Sequence, residues 1–350
     1  HLSNLTTMKI RIFAMAALAA ALFASCNKET EMMNPAPEAR PDGASVTITL
    51  SSGDDTQTRA FFDATATAEA WEKSLSSLSV FTFNTSGDLI LRRDFTVLEL
   101  ASKSATFSLP KSAAGTECSF YAVANYDASS AKTRSALTAL VEQSAGAYNG
   151  TFADVSTKAL RSGGFVMSGS TTKTVGAVNT STQVGISLKR TVAKVALQTT
   201  IAPEFSEKYP GSITINSVKL SRAASQSLVV AGEPSTGAMS YTHTQTPGTA
   251  SSKYNSLFYL YETGTLDAGS RVLLEINATY DSDGSSSTSD DRSDVTYSIE
   301  LTGKAAGQIL RNGYYRVAAH ITGLVGQDCQ VSVTVADWET PVTQSVDLGA

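Results

Sequence analysis

Hydrophobic and polar residues alternate along many short stretches of this chain. Residues 46–50 read VTITL near its start, and residues 331–335 read VSVTV near its end. Because successive side chains of a strand point to opposite faces, a period of two predicts strands that bury one face. Turns rich in Ser, Gly and Asp separate these runs, which favours an all-β fold of short strands.

The strand candidates fall into two groups that meet near Lys189. A run at residues 131–145 places Leu137, Leu140 and Val141 at helical spacing and predicts a helix. We therefore predict an all-β fold of two β-sandwich domains in tandem, transthyretin-like or Greek-key in type, with few short helices. The strands are predicted at 46–50, 78–84, 89–92, 106–109, 119–125, 165–169, 171–178, 184–188, 192–200, 212–221, 256–261, 271–280, 294–302, 314–322 and 330–335.

The N-terminal region has the pattern of an export signal. Lys9 and Arg11 precede an apolar run at 12–24, which is shorter than the about 20 residues of a membrane-spanning helix. We interpret residues 1–25 as a secretory signal peptide, with residues 1–7 upstream of the first methionine. Small residues lead directly into Cys26, as in a lipoprotein signal whose cysteine is acylated. An ordinary signal peptide with a chance cysteine is the alternative.

A polar segment follows this signal and holds the first strand. Residues 27–43 are rich in Pro, Glu and Asn and suit a flexible tether. The first strand, with Val46, Ile48 and Leu50 on one face, is followed by a polar stretch that ends at Arg59. Exposed loops of this composition are preferred sites of proteolytic nicking, although a solvated arginine is the simpler alternative.

Composition and motifs argue against several classes of function. The chain is 42% hydrophobic and 17% charged, so it can bury a core, and its net charge of -5 argues against nucleic acid as a partner. The sequence contains three histidines and lacks GxSxG, GxGxxG and phosphate-loop motifs. We predict neither an enzymatic activity nor a cofactor.

Two further features leave alternatives open. Cys118 and Cys329 are either a disulfide of an exported protein or two separate buried thiols, which is the simpler interpretation. The loop from Asp281 to Asp294 contains several aspartates, but it does not follow the EF-hand spacing. We interpret it as a solvated hairpin loop and predict no metal site.

The last residues form a short amphipathic strand candidate. Val342, Val346 and Leu348 fall on one face, and Gln344 interrupts that apolar row. No later segment is available to pair with it, so it either pairs back into its own fold or pairs with another molecule.

An ordered series of motifs resembles the fimbrillin family, the lipoprotein-derived type V pilins of Bacteroidales. The motifs span nearly the whole chain. They are the signal ending at Cys26, TRA at 58–60, LSVFTFNTSGDL at 78–89, YAVAN at 121–125, FVMSG at 165–169, LKRTVAKV at 188–195, NGYYRVAAHITG at 312–323 and VTVADW at 333–338.

The resemblance implies a route of assembly. A precursor anchored in the outer membrane by its lipid is cut by an arginine-specific surface protease, here between Arg59 and Ala60. The cut removes the pro-segment 26–59, whose strand carries Val46, Ile48 and Leu50, and leaves sandwiches at 60–188 and 189–350. The vacated groove then accepts the C-terminal strand of another subunit, and the resulting cell-surface fimbria supports adhesion. Val342, Val346 and Leu348 are the residues expected to fill the groove.

Two other roles fit the same sequence features. The segment after Trp338 is short, which suits an accessory, tip or anchor subunit as well as a stalk pilin. A monomeric surface lipoprotein that binds glycan or a host protein is the second alternative.

Overall fold

The computed structural model describes residues 43–51, 62, 68–234, 239–303, 305–325, 334–337 and 347–348, the last two segments by their backbone. The described chain is dominated by strands, which confirms the predicted all-β class. The strands are β1 (Ala44–Ser51), β2 (Leu78–Phe83), β3 (Leu89–Asp94), β4 (Ser104–Leu109), β5 (Glu117–Ala124), β6 (Val141–Glu142), β7 (Met167–Thr174), β8 (Ser181–Ser187), β9 (Lys189–Arg190), β10 (Val192–Ile201), β11 (Ser212–Ala223), β12 (Ser227–Leu228), β13 (Tyr241–Gln245), β14 (Gly248–Ala250), β15 (Lys253–Tyr261), β16 (Leu273–Asp281), β17 (Arg292–Glu300), β18 (Gly313–Ile321), β19 (Thr334–Asp337) and β20 (Asp347–Leu348).

The N-terminal sandwich pairs a sheet of three strands with a sheet of five. Their orders are β4-β1-β8 and β3-β2-β5-β7-β9. The inward faces of both sheets share one apolar core, which includes Val46 and Ile48 of β1 and Phe120 of β5. Gly169 allows close approach beside this core, because a Cβ atom there would lie 2.1 Å from the Ser187 carbonyl oxygen.

The C-terminal sandwich has the same two-layer plan. A sheet of order β14-β15-β10-β18-β19, with β20 also paired to β18, packs on a sheet of order β13-β11-β16-β17. Val195, Phe258 and Val317 project into the core between these sheets. Tyr259 and Tyr314 lie in the core cluster of the N-terminal sandwich, so the two sandwiches share a packed junction.

Helices are few and short. They are α1 (Val97–Ser102), α2 (Arg134–Thr138), α3 (Phe152–Val155) and α4 (Pro203–Lys208), with 3-10 turns at Ala70–Lys73, Lys111–Ala113 and Ala145–Tyr148. Within the described ranges no helix has the length and apolar character needed to cross a bilayer.

The helix predicted at 131–145 is mostly wrong. Only Arg134–Thr138 is helical, beginning where the Thr133 hydroxyl accepts a hydrogen bond from the Ala136 amide. Beyond Leu140 the backbone pairs with the second sandwich: β6 pairs with β12, and the Val229 amide donates to the Leu140 carbonyl at 2.8 Å. Pairing between distant segments therefore overrides the local helical spacing.

Candidate functional site

Strand β1 lies at the centre of the three-stranded sheet. It pairs antiparallel with β4, where Thr47 is opposite Thr106, and parallel with β8, where Thr47 is opposite Gln183. Both backbone edges of β1 are thus hydrogen-bonded. This central strand is also the first described strand of the fold, so the chain connects it to the rest of the sandwich through its Ser51 end.

The inner face of β1 is apolar and buried. Ala44, Val46 and Ile48 have no exposed surface, and Leu50 is 5% exposed. The outer face is polar: the Thr47 and Thr106 hydroxyl oxygens are 2.9 Å apart, and the Ser104 hydroxyl donates to the Ile48 carbonyl at 3.0 Å. We name the channel that β1 fills between β4 and β8 the β1 groove.

Backbone hydrogen bonds also hold both ends of β1. At its start the Ser45 amide donates to the Thr180 carbonyl at 3.0 Å. At its end the Leu50 amide donates to the Lys103 carbonyl at 2.9 Å, and the Leu188 amide donates to the Ser51 carbonyl at 2.8 Å. All of these contacts use groups that any residue except proline carries on its backbone.

The chain downstream of the groove reaches the junction between the sandwiches. The Arg316 guanidinium, on β18, lies 4.8 Å from the centre of the Phe62 ring. A few residues later, Glu72 in the first 3-10 turn is fully buried. The Lys194 ammonium contacts its carboxylate at 2.8 Å, and the Tyr259 hydroxyl donates to the same oxygen at 2.6 Å.

Further hydrogen bonds complete this buried cluster. Arg190 Nε donates to the Glu72 backbone carbonyl at 2.7 Å, and Arg190 Nη1 donates to Asn312 Oδ1 at 2.8 Å. Burial opposes ionisation of the Glu72 carboxyl, but Lys194 and Arg190 outweigh it and hold the pKa of Glu72 below its ordinary value. We name Glu72, Arg190, Lys194, Tyr259 and Asn312 the junction cluster.

A second buried carboxylate lies beside the junction. Arg161 Nε contacts Glu142 at 3.0 Å, while the hydroxyls of Tyr148 and Thr191 donate to it at 2.6 and 2.9 Å. Burial and the adjacent Glu142 charge raise the pKa of Tyr148 far above its ordinary value. These paired groups stabilise the packing of the chain. Each buried carboxylate contacts a cation and accepts hydrogen bonds, and this geometry does not activate a nucleophile.

The residues predicted from sequence are distributed unevenly over the structure. Val46, Ile48 and Leu50 lie together in the β1 groove. Leu348 lies in β20, where it is opposite Ile321 of β18. Several predicted positions fall outside the described residues, namely Cys26, Arg59, Ala60, Cys329, Val342 and Val346.

Cys118 is a buried free thiol, and its burial raises the pKa of the thiol.

In the aspartate-rich loop, ligand atoms of Asp281, Asp283 and Asp291 lie within 4.8 Å of one another. These carboxylates already accept hydrogen bonds: Arg292 Nε donates to Asp281 at 3.2 Å, and the Asp283 amide donates to Asp291 at 2.8 Å. The other carboxylate oxygen of Asp291, Oδ1, is buried and has no hydrogen-bond partner among the described residues.

Sequence reasoning missed the junction cluster. The stretch AEAWEKS at 68–74 is polar and carries two glutamates, so it has the composition of an exposed loop. Its burial depends on Lys194 and Tyr259, which are more than a hundred residues away in the chain. No local periodicity could have revealed that pairing.

Comparison with known proteins agrees with this architecture. Residues 44–201 match the family model described as major fimbrial subunit protein (FimA). A crystal structure of a candidate cell adhesion protein from Bacteroides eggerthii is 20% identical, covers 89% of this chain and 98% of its own, and gives a TM-score of 0.58.

Two candidate cell adhesion proteins from Parabacteroides distasonis have similar folds. They are 15% and 16% identical, with TM-scores of 0.58 and 0.50, and each covers 87% of this chain and 99% of its own. A search among curated proteins finds no match.

The two tandem sandwiches with a buried first strand therefore share the fold of these candidate cell adhesion proteins. The match over residues 44–201 agrees with the resemblance to the fimbrillin family that the sequence motifs predicted. The matched model supports the role of a fimbrial subunit at the cell surface that associates with other fimbrial subunits.

Proposed function

We propose that this chain is a precursor pilin that matures by cleavage after Arg59 and polymerises by strand exchange in the β1 groove. It is exported as a lipoprotein, acylated at Cys26 and held in the outer membrane until the cut. The cut separates β1 from the sandwich, and the C-terminal strand of another subunit, with Val342, Val346 and Leu348, takes its place.

The observation that carries this proposal is the position of β1 in the chain. Because β1 precedes all other described strands and its exit at Ser51 leads toward Arg59, one cut converts a central strand into a separate peptide. Removal of that peptide would expose unpaired backbone groups of β4 and β8 beside an apolar channel. Such an edge is a template for another strand.

The energetics favour exchange over simple release. Burial of Val46, Ile48 and Leu50 stabilises the filled groove by about 1.5–3 kcal/mol for each side chain. The cut peptide therefore stays in the groove until another strand replaces it with similar contacts. The same physics keeps the uncut precursor monomeric, since the groove is already full.

The test is to treat purified precursor with an arginine-specific protease and to run gels without boiling. The wild-type chain should form multimers that resist SDS, and Arg59→Ala should remain a monomer. Arg40→Ala is the matched control, because Arg40 lies in the same pro-segment but upstream of β1. Multimers from the Arg59→Ala protein would refute this cleavage site.

Deletion of residues 340–350 tests the donor strand. The deleted chain should be cut normally, remain folded by circular dichroism and form no SDS-resistant multimers. If it still forms them, the donor lies elsewhere. If the wild-type chain forms none, a tip or anchor subunit, or a monomeric binding protein, becomes the better assignment, and a glycan array on intact protein tests the latter.

A further inference from the structure

A segment of the second sandwich crosses the junction and packs on the first sandwich. Residues 224–230 lie between β11 and β13, include β12 and end in an apolar run at 228–230. Strand β12 pairs antiparallel with β6, where Leu228 is opposite Val141. We name residues 224–230 the strap.

The strap covers part of the outer face of the five-stranded sheet. Because side chains alternate along a strand, Val80 of β2 lies in the core of the first sandwich while Phe81 and Phe83 lie on the other face. These two rings belong to a separate apolar cluster, to which the strap contributes Val229 and Val230. Val229 has no exposed surface and Val230 is 4% exposed. The strap therefore buries apolar surface that the first sandwich alone would leave partly exposed.

Hydrogen bonds join the strap to the first sandwich. The Val229 amide donates to the Leu140 carbonyl at 2.8 Å, and the Ser168 hydroxyl, on β7, donates to the Val229 carbonyl at 2.7 Å. Strand β6, which pairs with the strap, is itself anchored by the buried contact of Glu142 with Arg161 at 3.0 Å. The strap is thus bound to a part of the first sandwich that a buried ion pair stabilises.

Arg311, which precedes β18, holds the strap on the second sandwich. Its Nη2 donates to the Leu228 carbonyl at 2.8 Å and to the Ser227 hydroxyl at 3.3 Å, and its Nη1 donates to the Val229 carbonyl at 3.3 Å. Its Nε donates to the Glu262 carboxylate at 3.0 Å, and the Ser227 hydroxyl donates to the same oxygen at 3.3 Å. Both members of the Arg311–Glu262 pair are buried. A guanidinium can bind all of these groups at once because it presents five donors in a fixed fork.

We propose that the strap is an interdomain clamp that makes the two sandwiches unfold as one cooperative unit. Domains of one chain move independently unless their interface is extensive and apolar. Here Tyr259 and Tyr314 pack in the core on the inner face of the five-stranded sheet, while the strap lies on its outer face. The second sandwich therefore grips this sheet from both sides.

Separation of the sandwiches would break several contacts together. It would expose the two strap valines, break the pairing of β6 with β12 and remove the strap carbonyls from Arg311. A fimbrial subunit built in this way does not open at its junction before either sandwich unfolds. The clamp does not depend on strand exchange in the β1 groove.

Two variants weaken the strap by different chemistry. Arg311→Lys keeps a cation beside Glu262 but loses the fork that reaches the strap carbonyls. Val229→Ala keeps the backbone hydrogen bonds and removes methyl groups from the buried cluster. The matched control is Arg222→Lys, because the Arg222 guanidinium donates to Glu300 at 2.9 Å within the second sandwich and far from the strap in the sheet order.

Hydrogen exchange of the full-length chains in rising urea, followed by mass spectrometry, measures each sandwich separately. Peptides from β5 and β7 give the midpoint of the first sandwich, and peptides from β16 and β17 give that of the second. We expect one common midpoint for the wild-type chain and for Arg222→Lys. For Arg311→Lys and Val229→Ala we expect two midpoints about 1 M urea or more apart, since each uncoupled sandwich then has its own ratio of stability to m.

A disulfide across the strap provides a rescue. Val141 and Leu228 are directly opposite in an antiparallel pair, a separation that suits a disulfide. Oxidised Val141→Cys with Leu228→Cys, placed in the Arg311→Lys chain, should restore a common midpoint, and reductant should separate the midpoints again.

Two results would overturn the clamp. Separate midpoints in the wild-type chain would show that the sandwiches are not coupled. A single midpoint in both strap variants, shifted or unshifted, would show that the junction core couples the sandwiches without the strap.

Discussion

The segments on the two sides of Arg59 are held by different chemistry. Upstream, β1 contributes eight uncharged residues, and its contacts are backbone hydrogen bonds, apolar side chains and hydroxyls. Downstream, Glu72 is held by a buried ion pair with Lys194 and by hydrogen bonds from Tyr259 and from the Glu69 amide. Any strand of suitable pattern can imitate the first set of contacts, whereas only a carboxylate in one position satisfies the second.

Under the proposed strand exchange, the generic contacts belong to β1, the segment that leaves, and the specific contacts belong to the region around Glu72, which remains. Strand pairing in the β1 groove is generic, so a second strand can replace β1 with comparable free energy. The junction cluster is specific, because breaking a buried ion pair leaves an uncompensated charge. After a cut at Arg59, the new N-terminal region would remain attached to both sandwiches through Glu72.

The largest expected effect comes from breaking the junction cluster. Lys194→Met leaves the buried Glu72 carboxylate without the ammonium that contacts it, and we expect the substitution to lower the free energy of unfolding by about 3–5 kcal/mol. The matched control is Lys219→Met. Lys219 pairs with Glu275 at 3.1 Å on the surface, with the Lys219 side chain 44% exposed, and such pairs contribute about 0–1 kcal/mol. Urea denaturation of both variants measures this difference. If Lys194→Met loses no more stability than Lys219→Met, the buried ion pair does not have the expected effect.

A core substitution in β1 should have an effect of similar or smaller size that is confined to the precursor. Ile48→Ala removes buried methyl and methylene groups and should lower the free energy of unfolding of the uncut chain by about 2–5 kcal/mol. The polymerised mature form should be unaffected, since under the proposed exchange β1 is no longer part of it. Denaturation of both forms tests this, and destabilisation of the mature polymer by the same substitution would show that β1 is retained.

The junction cluster should also make stability depend on pH. Because the folded pKa of Glu72 lies below its ordinary value of 4.5, its contribution is complete above that pH and is lost as the pH falls through the folded pKa. Glu72→Gln removes this titration. We expect the stability of the wild-type chain to fall relative to Glu72→Gln below pH 4.5, measured by urea denaturation at a series of pH values. Parallel curves for the two proteins would exclude this role for Glu72.

The smallest effect is expected on the outer face of β1. Thr47→Val removes one hydroxyl contact with Thr106 while keeping a β-branched residue in the strand, so it should change stability by no more than about 1 kcal/mol. Its rate of multimer formation after cleavage should match that of the wild-type chain. A marked acceleration would mean that this hydroxyl contact, rather than apolar burial, controls release of β1.

Several strands were predictable because their burial follows a local rule. The alternation in VTITL places Val46, Ile48 and Leu50 on one side, and that side is buried in the structure. The strands predicted at 78–84 and 89–92 are present as β2 and β3, which pair antiparallel. The helix at 131–145 was wrong because Val141 and Glu142 pair instead with Ser227 and Leu228 of the other sandwich.

The sequence by itself determined the all-β class, the apolar face of β1 and the resemblance to fimbrillins, because these depend on residue types at short and regular spacing. Only the tertiary structure decided that β1 lies between β4 and β8 and that Glu72 is buried against Lys194. Those features join residues far apart in the chain. Their free energies arise from pairing and desolvation in three dimensions, which no local pattern of hydrophobic and polar residues specifies.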